Sequence, residues 1–148
     1  MKLYDYARAY IGTPFKYRGR DRLGLDCYGL IWCSYRDAGI DVPDVRRYGR
    51  EPGRVGLLMA TMQEAARSEP IWSGRNSPME VRESAQPGDM LVFSFEKEPH
   101  HVAIVAPNEI HGLGIIHAEG ALGHKRVKEH GMMDWHYSRV IAIFRRAV

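Results

Sequence analysis

An acid and a thiol stand side by side in this chain, Asp26 and Cys27, directly ahead of the run Tyr28-Gly29-Leu30-Ile31-Trp32. A thiol attacks a carbonyl only as thiolate, so a reactive cysteine needs a helix N-terminus, an imidazole or both to draw off a proton held with a pKa of roughly 8.5. With Asp26 as N-cap, the Cys27 sulfur falls in the first helical turn, where unpaired N–H groups and the positive end of the helix dipole favour an anion. A backbone N–H at the same place can receive the oxyanion of a tetrahedral intermediate. Cysteine on an apolar helix stripe also serves as a small buried hydrophobe, and Cys27 fits that description too. The imidazole has to come from the C-terminal half, which holds all seven histidines: His100, His101, His111, His117, His124, His130 and His136. His101 opens the strand-like run HVAIVA and His117 lies within GIIHAE. Neighbouring strands can set these two rings side by side, one as base and the other orienting it through the far ring nitrogen. The other five fall in expected loops and are read as solvated. No HExxH or CxxC occurs, so a zinc site would rest on residue numbers alone, and neither a metal nor another cofactor is expected. Cys33, six residues after Cys27, points to a different side of the same helix, too far to bridge, so both cysteines are expected as free thiols.

These groups need elements to hold them. Leu3, Tyr6, Ala7, Tyr10 and Ile11 recur at three- and four-residue intervals, one face of a helix that Gly12 and Pro14 stop. Residues 15–26 are mostly charged or glycine and read as a loop. A second helix follows with the stripe Cys27, Leu30, Ile31, Tyr35 and Ala38, ended by Gly39 as a left-handed cap. Residues 41–54, with Arg46, Arg47, Arg50 and Arg54, read as an exposed basic loop. A third helix is expected over residues 55–67, carried by Leu58, Met62 and Ala65 or Ala66. After QPGD come the β-like runs MLVFSF, HVAIVA, GIIHAE and RVIAIFR. Helices first and strands later predict an α+β fold, helices packed on a mainly antiparallel sheet. The glycines of HGLGIIHAEGALG do not open a helix after a strand, so they suit hairpin turns better than a dinucleotide-binding loop.

At 148 residues, with 45% hydrophobic and 26% charged content, the chain is expected to form one domain over residues 1–148. Its longest apolar runs fall far short of a membrane span, and MKLYDYARAY lacks the apolar stretch and cleavage site of a secretory signal. Synthesis in the cytoplasm without membrane insertion is expected. A net charge of +3 is too small to point to nucleic acid.

Four ordered segments resemble the NlpC-type cell-wall cysteine peptidases, whose fold is a stripped-down papain-like domain. GTPFKYRGRDRLGLDCYGLIW is similar to that family's Gly-x-Pro-aromatic, glycine-containing loop and Asp-Cys-Ser-Gly-hydrophobic pattern. QPGDMLVF is similar to its Pro-Gly-Asp-Leu strand entry, HHVAIV to its His-Val-Gly/Ala-Ile strand, and GIIHAEG to its hydrophobic-His-Ala. The resemblance implies Cys27 as nucleophile, His101 as general base and His117 as the polar group that orients it, with Asp26, Tyr28 and Tyr17 on the substrate side. His100 is displaced by one residue, which in a strand turns the ring to the opposite face. Two departures stand out: Tyr28 replaces the serine after the nucleophile, and Phe15 the tyrosine twelve residues before it, with Tyr17 two positions away. Donors at the helix N-terminus remain for the oxyanion. The resemblance further implies cleavage of peptide stems of bacterial peptidoglycan, and its phage-tail and gene-transfer-agent branch implies tail proteins as partners and incorporation into a phage-like tail. The same fold without activity, as a structural tail component, is the alternative that Tyr28 and Phe15 leave open.

Overall fold

In the computed structural model, which describes residues 1–45, 55–95, 101–120 and 125–148, strand alternation decides the architecture. In chain order the elements are α1 (Leu3–Arg8), β1 (Arg20–Asp21), β2 (Gly24–Leu25), α2 (Cys27–Asp37), α3 (Val55–Ala66), β3 (Trp72–Ser73), α4 (Pro78–Ser84), β4 (Met90–Phe93), β5 (His101–Asn108), β6 (Gly112–Ala118), β7 (Val127–Gly131), α5 (Asp134–Arg139) and β8 (Val140–Phe144). Six strands form an antiparallel sheet in the order β3-β8-β4-β5-β6-β7. All four residues of β4 are buried. Successive side chains point to opposite faces of a strand, so Met90 and Val92 enter one apolar cluster while Leu91 and Phe93 enter another. The first cluster lies under α1, α2 and α3 through Leu3, Ala7, Leu30, Ile31, Leu58 and Met62; the second receives Val81 of α4 and Tyr137 of α5. Antiparallel sheets often leave one face wet; here helices cover both, and the fold is α+β as expected.

Six of these elements were not expected from the sequence: β1, β2, β3, α4, β7 and α5. β3 has two residues and α4 buries only Val81. β7 reads VKEHG, with a single apolar residue, and α5 reads DWHYSR. None carries enough periodic apolar residues to announce itself. The expected loop at residues 15–26 contains the small β1–β2 hairpin, with Arg20 and Leu25 buried. α1 ends at Arg8 rather than running to Ile11, which is exposed. α2 buries more than the expected stripe: Tyr28, Gly29, Cys33 and Ser34 join Leu30, Ile31 and Tyr35. Gly39, at φ +80°, does sit just beyond the helix in the left-handed conformation that glycine favours. The basic segment begins packed rather than exposed, with Val42 in the core; Arg46, Arg47, Arg50 and Arg54 lie outside the described residues, as do His100 and His124. Among the described residues no helix is long and apolar enough to cross a membrane.

Candidate active site

Cys27 is the first residue of α2, and its position is set by the acid before it. Asp26 caps the helix: its Oδ1 accepts the Gly29 N–H at 2.7 Å and the Arg20 guanidinium at 3.0 Å, and its Oδ2 accepts the Arg18 N–H at 2.8 Å. Arg20 in turn donates to Asp44 Oδ1, Gly19 O and Val45 O, each at 2.8 Å. One buried cation thus ties the β1–β2 hairpin, the helix cap and the segment after α2 together. Gly29 is required by the same closeness, since a Cβ there would come within 2.2 Å of the Gly19 carbonyl oxygen.

The Cys27 side chain keeps partial contact with solvent although protein atoms crowd it. The backbone N–H groups of Tyr28 and Val102 lie near enough to its sulfur to favour the thiolate, which places it by the His101–Val102 peptide at the start of β5. The helix N-terminus was expected to lower the thiol pKa. Instead burial, and secondarily the Asp26 carboxylate, push it up to about 12, against the opposing pull of the two N–H groups and Arg20. The resting sulfur therefore carries its proton at neutral pH, and it could act as a nucleophile only with an acceptor to take that proton.

His101 and His117 are brought together as their strands suggested. His101 Nε2 and His117 Nδ1 lie 2.7 Å apart, the rings edge-on at 74°. The contact continues beyond the expected pair: His117 Nε2 meets His130 Nε2 at 2.8 Å, and His130 Nδ1 reaches the Gly131 carbonyl oxygen at 3.0 Å. His130, expected to be solvated, is half-buried with both ring nitrogens engaged; pairing of β7 with β6, which sets His130 opposite Ile115, carries it into the row. His136 was misread in the same way. It is 6% exposed, stacks on Trp135 at 3.7 Å and has its Nδ1 on the Met133 N–H. Burial and the neighbouring His130 lower its pKa to about 4. His117 is lowered further by burial and then by the flanking His101, His130 and Lys128, so it stays neutral. His111 is exposed, as expected. The ring nitrogens of the row face one another at hydrogen-bond separation, and among the described residues no group of three or more potential ligands is placed to hold a metal ion.

The residues expected to face substrate divide. Asp26 is 2% exposed and occupied by the cap and Arg20, and Tyr28 is buried with its hydroxyl donating to Pro43 O at 2.6 Å. Both hold α2 in place and present nothing outward. Tyr17 is half-buried in the cluster that Cys27 packs against, with the Arg18 guanidinium 5.0 Å from its ring centre. Cys33 is fully buried, its thiol donating to Arg20 O at 3.3 Å.

The NlpC/P60 family model matches residues 12–141, a span that contains the thiol and the whole histidine row. The chain belongs to the NlpC/P60 family. Among solved structures, the NlpC/p60 domain of the peptidoglycan hydrolase SagA matches with a TM-score of 0.55 at 20% identity, covering 96% of this chain and 94% of that one. An NlpC/P60 family protein from Bacillus cereus gives 0.63 at 18%, and a lipoprotein-like NLP/P60 family protein from Staphylococcus aureus gives 0.61 at 23%. This chain covers 99% and 97% of its own length in those two matches but spans only 40% and 39% of theirs. At such identities the likeness establishes the NlpC/P60 papain-like fold. No curated protein sequence gives a significant match.

Proposed function

We propose that this NlpC/P60 protein is a cysteine endopeptidase that hydrolyses the peptide stems of bacterial peptidoglycan. The observation that carries the reading is the Cys27 sulfur at the head of α2, near the Val102 N–H that follows His101, whose ring is tied to His117 at 2.7 Å. His101 Nε2 is engaged by His117, so the thiol proton goes to Nδ1. The sulfur attacks the scissile carbonyl carbon, and the oxyanion is met by N–H groups at the start of α2. The intermediate collapses with cleavage of the C–N bond, and the imidazolium returns the proton to the leaving amine. Water, deprotonated by the same imidazole, then attacks the thioester, releasing the carboxylic acid and regenerating the thiol. Family membership supports the peptidoglycan substrate class.

Mass spectrometry of muropeptides tests it. Wild-type protein is expected to release shortened stems, while Cys27→Ala and His101→Ala release none; cleavage surviving Cys27→Ala overturns the assignment. The sequence resemblance to phage-tail members supports a finer proposal, that the enzyme rides in a phage-like tail and opens the wall during delivery. Failure of the protein to co-sediment with tail particles would count against that part alone. A second reading, the fold retained without activity in a structural tail protein, draws on the thiol pushed up to about 12 and on Tyr28 where the family pattern has serine. It predicts no shortened stems from wild-type protein.

A further inference from the structure

The histidine row has a direction, and one carbonyl sets it. Gly131 O can only accept, so the His130 Nδ1 that reaches it at 3.0 Å carries a proton. With that one proton on Nδ1, His130 presents a bare Nε2 to His117 at 2.8 Å. His117 must fill that gap with its own Nε2–H, and because it is neutral it has no second proton. Its Nδ1 is therefore an acceptor, and the His101 Nε2 lying 2.7 Å away donates to it. A neutral His101 with its proton on Nε2 has Nδ1 as the basic nitrogen. Run the other way, with His117 donating from Nδ1, the row would leave the proton on His101 Nδ1, and the ring could not take one from the thiol.

We propose that His130 is a positioning residue for His101: with the Gly131 carbonyl it fixes the proton arrangement along three imidazoles so that His101 Nδ1 is held as the base. The proposal rests on the peptidase reading for its catalytic consequence, but the proton arrangement stands on the row's distances and on each ring holding a single proton. His130 is itself fixed. Its backbone belongs to β7, opposite Ile115, and its ring lies 5.2 Å from that of His136, which is pinned by Trp135 and the Met133 N–H. The same arrangement serves the imidazolium that forms during attack, because His101 keeps donating to His117 Nδ1 while it holds the second proton. Position matters here as well as proton placement: in a triad the group behind the histidine selects the tautomer, and losing that selection is costly even when every atom stays in place.

The test uses 15N-labelled full-length protein and two variants. His130→Gln can place its amide nitrogen toward the Gly131 carbonyl and its oxygen toward His117, reproducing both ends; His130→Leu can do neither. Imidazole 15N shifts of the wild type at neutral pH are expected to show His101 as the Nε2–H tautomer, retained in His130→Gln and mixed with Nδ1–H in His130→Leu. Against peptidoglycan, His130→Leu is expected to lower kcat about 10-fold or more with KM little changed, and His130→Gln to recover most of it. A wild-type spectrum showing His101 protonated at Nδ1 overturns the proposal without any variant. So does a folded His130→Leu whose His101 tautomer and kcat match the wild type. The expected tautomers in a wild type that cuts no stem peptide would leave the proton arrangement standing and remove the peptidase reading instead.

Discussion

Cys27 lies in an environment that opposes its ionisation. A helix N-terminus normally favours thiolate, but desolvation and the adjoining Asp26 carboxylate outweigh it, and the thiol is pushed up to about 12. In the proposed mechanism, reactivity then depends on His101 as the proton's destination. In His101→Ala, alkylation of Cys27 by iodoacetamide at pH 7 is expected to be at least about tenfold slower than in wild type and to recover only as pH climbs toward the thiol's own range. Equal rates for the two proteins at pH 7 would show that His101 does not act on the thiol. The place of Cys27 at a helix head and the meeting of His101 with His117 were legible from residue type and from position in two strand-like runs. His130 was not, because nothing about a histidine in VKEHG distinguishes it from a solvated one until the strand next to it is known.

At the scale of elements, the site depends on how the head of α2 is anchored. The Arg20–Asp26 pair is almost wholly buried, and removing one member of such a pair leaves an uncompensated charge. Arg20→Ala is expected to cost about 3–5 kcal/mol of stability, read as a lower urea midpoint. A loss below about 1 kcal/mol would mean that the hairpin, cap and following segment hold without it. Asp26 as N-cap could be read ahead of time from its place before an apolar periodic run. Its salt bridge could not, since Arg20 sits in a stretch that looks like solvated loop and is buried among partners distant in the chain, the head of α2 and residues Asp44 and Val45 after it. The strands β4, β5, β6 and β8 were legible because they are apolar; β7 is held by pairing with β6 rather than by its own composition. The glycines around residues 120–123 were the available signal, because a hairpin turn after GIIHAE requires a second arm starting near Val127.

For the whole molecule, two buried histidines make folding sensitive to acid. His117 and His136 are neutral when folded and have their ordinary affinity, near 6.5, when unfolded. The unfolded chain therefore binds more protons as pH falls below about 6.5. Their contribution is intact above that value and declines below it, His136 levelling off near 4 and His117 continuing lower. Each can remove up to about 1.4 kcal/mol per pH unit across its window. The urea midpoint is expected to drop between pH 7 and pH 5, and an unchanged midpoint would contradict the burial of both rings. Covering the sheet on both faces is what creates this sensitivity. The α+β class followed from the order of helices and strands, while the second helical layer, α4 and α5, escaped notice because each is barely two turns long.

The histidine row crosses the sheet from β5 to β6 to β7, and β7 is its outermost strand. Border strands loosen earlier than central ones, at a free energy below that of global unfolding. Mild denaturant or warmth that detaches this margin would let His130 drift while the interior stays folded, so the proposed chemistry would fade ahead of the structure that houses it.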